Sequence, residues 1–242
     1  MSTSTNAPNK RPVSSRRSTV IGATVLLLVA AVVIGGIIFQ SSRNQPRVDG
    51  YGPAQTAAVQ VSDGVVRVGA PNAPVTIDVY EDFLCPVCGQ FEKIYGQELA
   101  QALDQGKIAA RYHLLDFLNE ASASKTYSTR AAAAALCVAA DGNGSAYPKF
   151  HAALFASDTQ PKERAAADLS DAQLADIAKS VGASAAAQSC VTGGAKMAEA
   201  AAASRAGEQQ LAAAAGQVGT PTVLRDGKPV DFQDRDWIPK LG

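Results

Sequence analysis

Two cysteines three positions apart, Cys85 and Cys88, follow directly after a stretch in which apolar and polar residues alternate. That alternation, from Val75 to Tyr80, is typical of a β-strand with one buried face. Pro86, between the cysteines, favours the first turn of a helix. A helix that begins here places the two sulfur atoms one turn apart on one face, where they can close a small, reducible ring. The sequence therefore predicts a strand, a cysteine pair and a helix in immediate succession.

The first 39 residues differ sharply in composition from the rest of the chain. Residues 1–18 carry four basic side chains and no acidic one, whereas residues 19–39 are uncharged and rich in Val, Ile, Leu and Ala. The uncharged run is long enough to span a bilayer core of about 30 Å at about 1.5 Å per residue. The positive charge before it predicts a cytoplasmic amino terminus and a single-pass anchor in the cell membrane. A cleaved signal peptide is the alternative, although the run is longer than usual for one.

The segment after the predicted anchor is polar and rich in Pro and Gly. We interpret residues 40–57 as a tether that leads to one extracytoplasmic domain over 58–242. The 242 residues include 22 basic and 22 acidic side chains, so bulk charge gives no indication of nucleic-acid binding. All four cysteines follow the predicted anchor and would face an oxidising compartment, where an even count suggests two disulfides.

Beyond the cysteine pair the pattern predicts a parallel strand–helix–strand unit and then a helical block. A helix over Gln90–Leu103 and a strand over Ile108–Leu115 imply a right-handed crossover. An earlier strand is expected at Val65–Val68. From about 123 to 215 the chain is rich in Ala with scattered Leu, which is typical of packed helices. These helices are predicted at Tyr127–Ala140, Ala146–Phe155, Asp171–Val181 (N-cap Ser170), Ala185–Val191 (N-cap Ser184) and Lys196–Ala215.

The last informative segment runs from Gly219 to Val230. Asp226-Gly227 between two short apolar stretches predicts a hairpin. Pro221 stands at the start of the first of these strands, where a backbone donor can be absent and a cis peptide bond is possible.

These motifs together resemble the DsbA-type thioredoxin-fold disulfide oxidoreductases, in particular the membrane-anchored forms of actinobacteria such as mycobacteria. The matching pieces are Ala73 to Thr76, Asp82 to Cys88, the helical insertion, and Gly219 to Thr222. The resemblance covers roughly residues 65–230. It implies an α/β thioredoxin-like fold with a helical insertion, preceded by one transmembrane helix, and a reaction that needs neither cofactor nor metal.

The resemblance also implies a role for each residue of the motif. Cys85 would be the reactive thiol, because helix-start N–H groups and their partial positive charge lower a thiol pKa. Cys88 would be its more buried partner. The Thr220-Pro221 pair resembles the cis-proline loop of the family, which lies beside the reactive cysteine and pairs with substrate. The remaining substrate contacts would come from the two residues between the cysteines, Pro86 and Val87.

The other two cysteines, Cys137 and Cys190, lie on predicted helices of the insertion. Mycobacterial relatives have a second, structural disulfide in the insertion, and these positions resemble it. A zinc site built from all four cysteines is the alternative, although the second close-spaced pair that such sites usually show is missing. The other alternative is that Cys137 and Cys190 are two free, buried thiols.

Two positions depart from the pattern of the family. Val87 stands where the best-known member has a histidine, and Val79 stands where many relatives carry an acid six residues before the first cysteine. Asp78, Glu81 and Asp82 are the acids close enough in sequence to replace that proton carrier. We expect both histidines of the chain, His113 and His151, to serve packing or to lie at the surface rather than to act in catalysis.

The predicted function is the introduction of disulfides into reduced exported proteins through the Cys85–Cys88 pair. The resemblance implies reoxidation by a membrane partner of the DsbB or vitamin K epoxide reductase-like type. A reductase or isomerase, for example in cytochrome c maturation, would use the same residues with the opposite electron flow. A non-enzymatic tethered chaperone or binding module, with Cys85 and Cys88 as a structural brace, is the third alternative.

Overall fold

The computed structural model describes residues 45–241. The predicted basic tail (1–18), the predicted anchor (19–39) and the beginning of the predicted tether lie outside the described residues. Within residues 45–241, no helix combines the length and the apolar composition that crossing a membrane requires.

A six-stranded mixed sheet forms the centre of the described part, in the order β1-β2-β4-β3-β5-β6. Its third and fourth strands are parallel, with Val75 opposite Ile108 and Glu81 opposite Leu114, and helix α1 (Pro86–Asp104) joins them. The predicted parallel crossover is therefore confirmed. All other pairings are antiparallel. The strands are β1 (Val59–Ser62), β2 (Val65–Gly69), β3 (Val75–Glu81), β4 (Ile108–Leu114), β5 (Thr222–Arg225) and β6 (Lys228–Pro229).

Both edges of the sheet end in hairpins with the same turn chemistry. Asp226 and Gly227 have φ angles of 51° and 71°, and Asp63 and Gly64 have φ angles of 52° and 72°. Two successive residues in the left-handed region match the twist of the flanking strands, which explains the Asp-Gly pair in each turn. The Asp226-Gly227 hairpin was predicted. The β1 strand was not, because its four residues, two of them exposed, give too short a pattern.

Five helices make up the block between β4 and β5: α2 (Tyr127–Ala139), α3 (Ala146–Phe155), α4 (Asp171–Ser180), α5 (Ala185–Thr192) and α6 (Met197–Ala215). Each predicted boundary agrees within one residue. Every residue of α2 except Arg130 is buried, so small Ala side chains let its neighbours pack close on all sides. The Ser170 hydroxyl accepts the backbone N–H of Gln173 in a reciprocal capping box, which fixes where α4 begins.

The alternation along β3 divides its side chains between two environments. Ile77 and Val79 belong to the main core, which includes α1, whereas Tyr80 stacks on His113 with 4.3 Å between ring centroids and packs near Leu211 of α6. Since side chains two positions apart share a face, Glu81 points to the same side of the sheet as Val79. This parity brings a carboxyl group under the start of α1.

The second half of the predicted tether belongs to the domain, so that interpretation of residues 40–57 is wrong from Pro46 onward, where the compact unit begins. The Asp104 carboxylate, at the carboxyl end of α1, accepts the backbone N–H groups of Gln55, Thr56 and Ala57 and the hydroxyl of Tyr51. Arg47 also pairs with Glu98, 3.7 Å away. Backbone N–H groups of the segment that was predicted to be a solvated linker therefore bind one carboxylate on α1.

Candidate active site

The reactive position predicted from the sequence lies at the first turn of α1. Cys85 is the N-cap residue, with extended backbone angles, and Pro86 occupies the first helical position. The backbone N–H of Cys85 donates to the Asp82 carbonyl at 2.9 Å, which closes the short turn between β3 and the helix. No side chain caps this helix start. The backbone N–H groups of Val87 and Cys88 are therefore available to the Cys85 sulfur.

The Thr220-Pro221 peptide bond is cis and lies against that sulfur. The Cys85 thiol donates to the Thr220 carbonyl oxygen, with 3.4 Å between the two atoms. β5 begins at Thr222, so the backbone of Thr220 stands outside the sheet ladder. Two segments separated by 135 positions in the sequence thus form one site.

The two thiols are free and have opposite electrostatic environments. Hydrogen bonds from the Cys88 thiol and from the backbone N–H groups of Cys88 and Val87 lower the pKa of Cys85 to about 6 despite its burial. Burial, the bond to Cys85 and the nearby Glu81 raise the pKa of Cys88 well above its ordinary value. Cys85 is thus ionised at neutral pH while Cys88 stays protonated.

The nucleophile is more enclosed than the sequence indicated. Cys85 is 5% exposed and Cys88 is fully buried, because the cis-proline loop touches the sulfur. The neighbouring Val87 is 57% exposed, and Val218, just before the cis-proline loop, is 39% exposed. Each of the two segments that meet at the sulfur therefore carries an exposed apolar side chain two positions along the chain from Cys85 or from Thr220.

A cluster of three titratable side chains lies beneath the cysteines. One Glu81 carboxyl oxygen is 3.0 Å from Nε2 of His151, and Nδ1 of the same ring is 3.9 Å from Glu92. Burial raises the pKa of Glu81 and of Glu92 to about 8 and lowers the pKa of His151. All three groups are therefore neutral near pH 7, which allows a carboxyl proton to be held next to Cys88.

The other two acids considered from the sequence have different partners. Asp78 accepts two hydrogen bonds from Arg111, each at 2.7 Å, and lies 2.8 Å from His113. Asp82 is fully buried and accepts the backbone N–H groups of Leu84 and Leu118. Asp78 thus lies on the far face of the sheet, and Asp82 stabilises the loops around the site. Glu81 is the acid next to Cys88.

Sequence reasoning missed Glu92 and gave His151 only a packing role. A helical position four residues after Cys88 lies on the same face as that cysteine, which is the signal that places Glu92 in the cluster. Its side chain also borders a cavity of about 690 Å³ between α1 and α3. His151 lies on α3, a helix of the insertion. No local pattern indicates that its ring meets β3.

The remaining two cysteines form a disulfide. Cys137 on α2 and Cys190 on α5 are joined across a separation of 53 positions, with 5.8 Å between their Cα atoms. The bond ties two helices of the insertion together. A zinc site built from all four cysteines is therefore excluded, because two of the thiols are covalently paired.

A family model described as thioredoxin matches residues 61–238, which include every strand except the first two residues of β1. The chain belongs to the thioredoxin family. Within that family its structure is similar to the MdbA protein of Corynebacterium diphtheriae, a thiol-disulfide oxidoreductase. That similarity has a TM-score of 0.70 at 27% identity and covers 81% of this chain and 100% of the other.

Two further solved structures strengthen this relationship. DsbA of Mycobacterium tuberculosis is 34% identical, with a TM-score of 0.57 over 73% of this chain and 85% of that one. DsbG of the same organism, a disulfide bond oxidoreductase, is 31% identical, with a TM-score of 0.58 over 79% and 91%. The predicted resemblance to DsbA-type enzymes of actinobacteria is confirmed, and the chain is a protein disulfide oxidoreductase of this type.

Curated relatives place the same kind of domain in a larger protein. Residues of this chain are 41% identical over 188 positions to the serine/threonine-protein kinase PknE of Mycobacterium tuberculosis. The match covers 78% of this chain, which spans only about a third of the length of that kinase. The name of this kinase refers to the whole relative and not to the third of its length that this chain matches.

Proposed function

We propose that this protein is an extracytoplasmic thiol oxidase that introduces disulfides into reduced exported proteins. In the oxidised enzyme a client thiolate attacks the Cys85 sulfur of the Cys85–Cys88 disulfide. A client–Cys85 bond forms, the Cys85–Cys88 bond breaks, and Cys88 leaves as a thiolate that takes up a proton. A second client thiolate then attacks the client sulfur, and Cys85 leaves as a thiolate. The client loses two electrons, and the enzyme ends as a dithiol.

The observation that carries this proposal is the difference between the two thiol pKa values. A Cys85 pKa of about 6 makes this sulfur a good leaving group in the second step and stabilises the reduced enzyme. Stabilising the reduced form raises the reduction potential, which drives electrons from client to enzyme. The low pKa arises without a histidine at position 87, because the Cys88 thiol and the backbone N–H groups of Val87 and Cys88 supply the hydrogen bonds.

Glu81 is the proton donor in this scheme. With a pKa of about 8 it is protonated at neutral pH and close enough to Cys88 to raise the pKa of that thiol. When Cys88 leaves as a thiolate, its raised pKa draws the proton from the carboxyl group. The neighbouring Glu92 and His151 are neutral as well, so they can return a proton to Glu81.

The substrate contacts follow from what borders the sulfur. Pro86 and Val87 form one side, and the Thr220-Pro221 loop forms the other. An extended client segment can pair with the backbone of Thr220, which stands outside the sheet ladder, while Val87 contacts an apolar side chain. The expected contacts are mainly with backbone, so one site accepts clients of different sequence.

The location and the reoxidant complete the proposal. The basic residues 1–18 before the apolar run 19–39 support a single-pass anchor with the domain outside, and the Cys137–Cys190 bond suits an oxidising compartment. A membrane protein of the DsbB or vitamin K epoxide reductase-like type would then accept the two electrons. Confinement to one bilayer would raise the effective concentration of the two partners.

An isomerase or reductase role is the second candidate, because both reactions would use the reduced Cys85–Cys88 pair that the structure contains. The reduction potential of the Cys85–Cys88 couple separates the oxidase from the reductase. A value far above the ~ −270 mV of thioredoxin supports the oxidase, and a value near it supports the reductase.

The direct test is oxidative refolding of a reduced client that needs disulfides for activity. The oxidised full chain should restore client activity, and the Cys85→Ala variant should restore none. A wild-type protein that leaves the client reduced when it is added in the oxidised form, and that repairs a client with wrong disulfides when it is added in the reduced form, would replace the oxidase with an isomerase.

A further inference from the structure

A glutamine of the insertion reaches the backbone of the reactive cysteine. Gln160 follows α3, and its backbone N–H donates to the Ala156 carbonyl at 2.8 Å, which folds the segment back toward the site. Its side-chain Nε2 donates to the Cys85 carbonyl at 2.9 Å and to the Phe83 carbonyl at 3.2 Å. One amide thus binds the residues on both sides of Leu84, just before α1.

The surface of α1 leaves room for this amide at one position. A Cβ atom on Gly89 would stand 2.3 Å from Oε1 of Gln160. That separation is well inside van der Waals contact, so any larger residue at position 89 displaces the glutamine side chain. Gly89 also donates its backbone N–H to the Cys85 carbonyl at 3.2 Å. Gly89 and Gln160 therefore act on the same carbonyl group.

We propose that Gln160 is a positioning residue through which the helical insertion sets the ionisation of Cys85. The oxygens of the Phe83 and Cys85 carbonyl groups carry partial negative charge close to the Cys85 sulfur. Donation by Nε2 offsets part of that charge and holds the helix start so that the N–H groups of Val87 and Cys88 face the sulfur. Both effects favour the thiolate. This inference rests on the proposed use of Cys85 as the leaving thiolate.

The test measures the ionisation of Cys85 in the reduced full chain with the Cys137–Cys190 bond intact. Thiolate absorbance and the rate of alkylation by iodoacetamide are followed against pH. Cys88 contributes little to either signal, because its pKa is raised well above the ordinary value. The variant Gln160→Ala should shift the titration upward, so that the thiolate-to-thiol ratio at a given pH falls about threefold to tenfold.

Two substitutions separate positioning from a general loss of structure. Gln160→Glu keeps the size of the side chain but presents an ionised oxygen to the two carbonyl groups, so its titration should shift upward more than that of Gln160→Ala. Gln188→Ala is the matched control. Gln188 donates the same kind of bond, at 2.9 Å to the Ala183 carbonyl, far along the insertion. This control should leave the titration of Cys85 unchanged.

The packing against Gly89 supplies a second, independent measurement. Gly89→Ala should displace the Gln160 side chain and raise the pKa of Cys85, as Gln160→Ala does. The double variant should raise this pKa no further than either single variant. Additive shifts, or unchanged titration in Gln160→Glu, would overturn the proposal.

These outcomes differ from a failure of the proposed oxidase. If the wild-type enzyme reduces or isomerises clients, the titration shifts still report on Gln160. If the wild-type enzyme oxidises clients and the variants titrate normally, the positioning role alone is wrong.

Discussion

The helix that carries the reactive cysteine begins differently from two helices of the insertion. The hydroxyls of Ser170 and Ser184 accept backbone N–H groups at the starts of α4 and α5, whereas Cys85 makes no side-chain cap for α1. A serine cap uses donors of the first turn to fix where a helix starts. The first turn of α1 keeps its donors for an ionised sulfur. First-turn N–H groups thus stabilise the helices of the insertion, whereas the equivalent groups of α1 make a cysteine reactive.

The two cysteine pairs differ in the same way, because one pair is reactive and the other stabilises the insertion. Cys85 and Cys88 lie one turn apart at a helix start, are free, and have pKa values shifted in opposite directions. Cys137 and Cys190 lie on two facing helices and are bonded to each other. A cysteine at an uncapped helix start can undergo thiol–disulfide exchange, whereas two cysteines on packed helices form a structural disulfide.

Replacing the sulfur at the start of α1 tests this difference most severely. The variant Cys85→Ser should lose client oxidation completely, since a hydroxyl cannot form the mixed disulfide. The serine can cap α1 in the way that Ser184 caps α5, so the unfolding free energy should not fall. Refolding of a reduced client and urea denaturation measure the two quantities. Residual oxidation by Cys85→Ser would mean that a thiol outside this pair performs the exchange.

Removing the other pair should have the opposite result. In the chain-entropy model, a bond across 53 positions stabilises a fold by about 4 kcal/mol. The variant Cys137→Ala with Cys190→Ala should lose about that much unfolding free energy in urea, yet its folded fraction should oxidise clients at the wild-type rate. A slower reaction per folded molecule would show that the structural disulfide also shapes the active site.

The proton donor beneath the reactive pair gives a smaller effect. Glu81→Gln keeps the shape of the side chain but cannot supply a proton to Cys88, so the first exchange step should slow by about tenfold at pH 7. Stopped-flow reduction of the oxidised enzyme measures this step. Asp78→Asn is the matched control on the other face of β3 and should leave the step unchanged. Equal rates in both variants and the wild type would remove Glu81 from the mechanism.

The same variant changes the pH dependence of stability. Glu81 has a pKa of about 8 in the folded chain, against an ordinary value of 4.5. The folded state therefore holds more protons between these values, and the unfolding free energy falls as pH rises from about 4.5 to about 8. Glu81→Gln cannot titrate and should flatten this decline, leaving the part that is due to Glu92 and Asp82, whose pKa values burial also raises, to about 8 and about 7. A decline as steep as that of the wild type would show that Glu81 is already ionised when folded.

Loss of one cap in the insertion should give the smallest change. Ser184→Ala removes the acceptor for the Ala187 N–H and should lower the unfolding free energy by about 1 kcal/mol. The titration of Cys85 should stay the same. In the variant that lacks the Cys137–Cys190 bond the loss should be larger, because α5 then depends more on its cap. A shift in the Cys85 titration would show that the two regions are coupled.

Most helices and strands could be predicted because the residues that determine their ends lie within or next to the element itself. The bounds of the five insertion helices, the parallel crossover and the second hairpin follow from caps, glycines and apolar spacing. The strand β1 and the attachment of residues 46–57 were missed, because the first is too short and the second depends on Asp104, far along the chain. The choice among Asp78, Glu81 and Asp82 stayed open at the level of sequence, and the structure settles it because position 81 shares a face of β3 with Val79.

The site itself was predictable only in part. The Cys85–Cys88 spacing and the Thr220-Pro221 pair are visible in the sequence, and the resemblance to a family linked them. His151 and Gln160 carry no such signal, because both act across the boundary between the insertion and the sheet. Such contacts arise from how α3 packs against α1.

The attachment of residues 46–57 to Asp104 fixes where the polypeptide enters the domain. That entry is at the carboxyl end of α1, and the reactive sulfur is at the opposite end. Nineteen residues of helix separate the two, a span of about 28 Å at about 1.5 Å per residue. A client can therefore bind at Cys85 without displacing the hydrogen bonds that Asp104 accepts from residues 55–57.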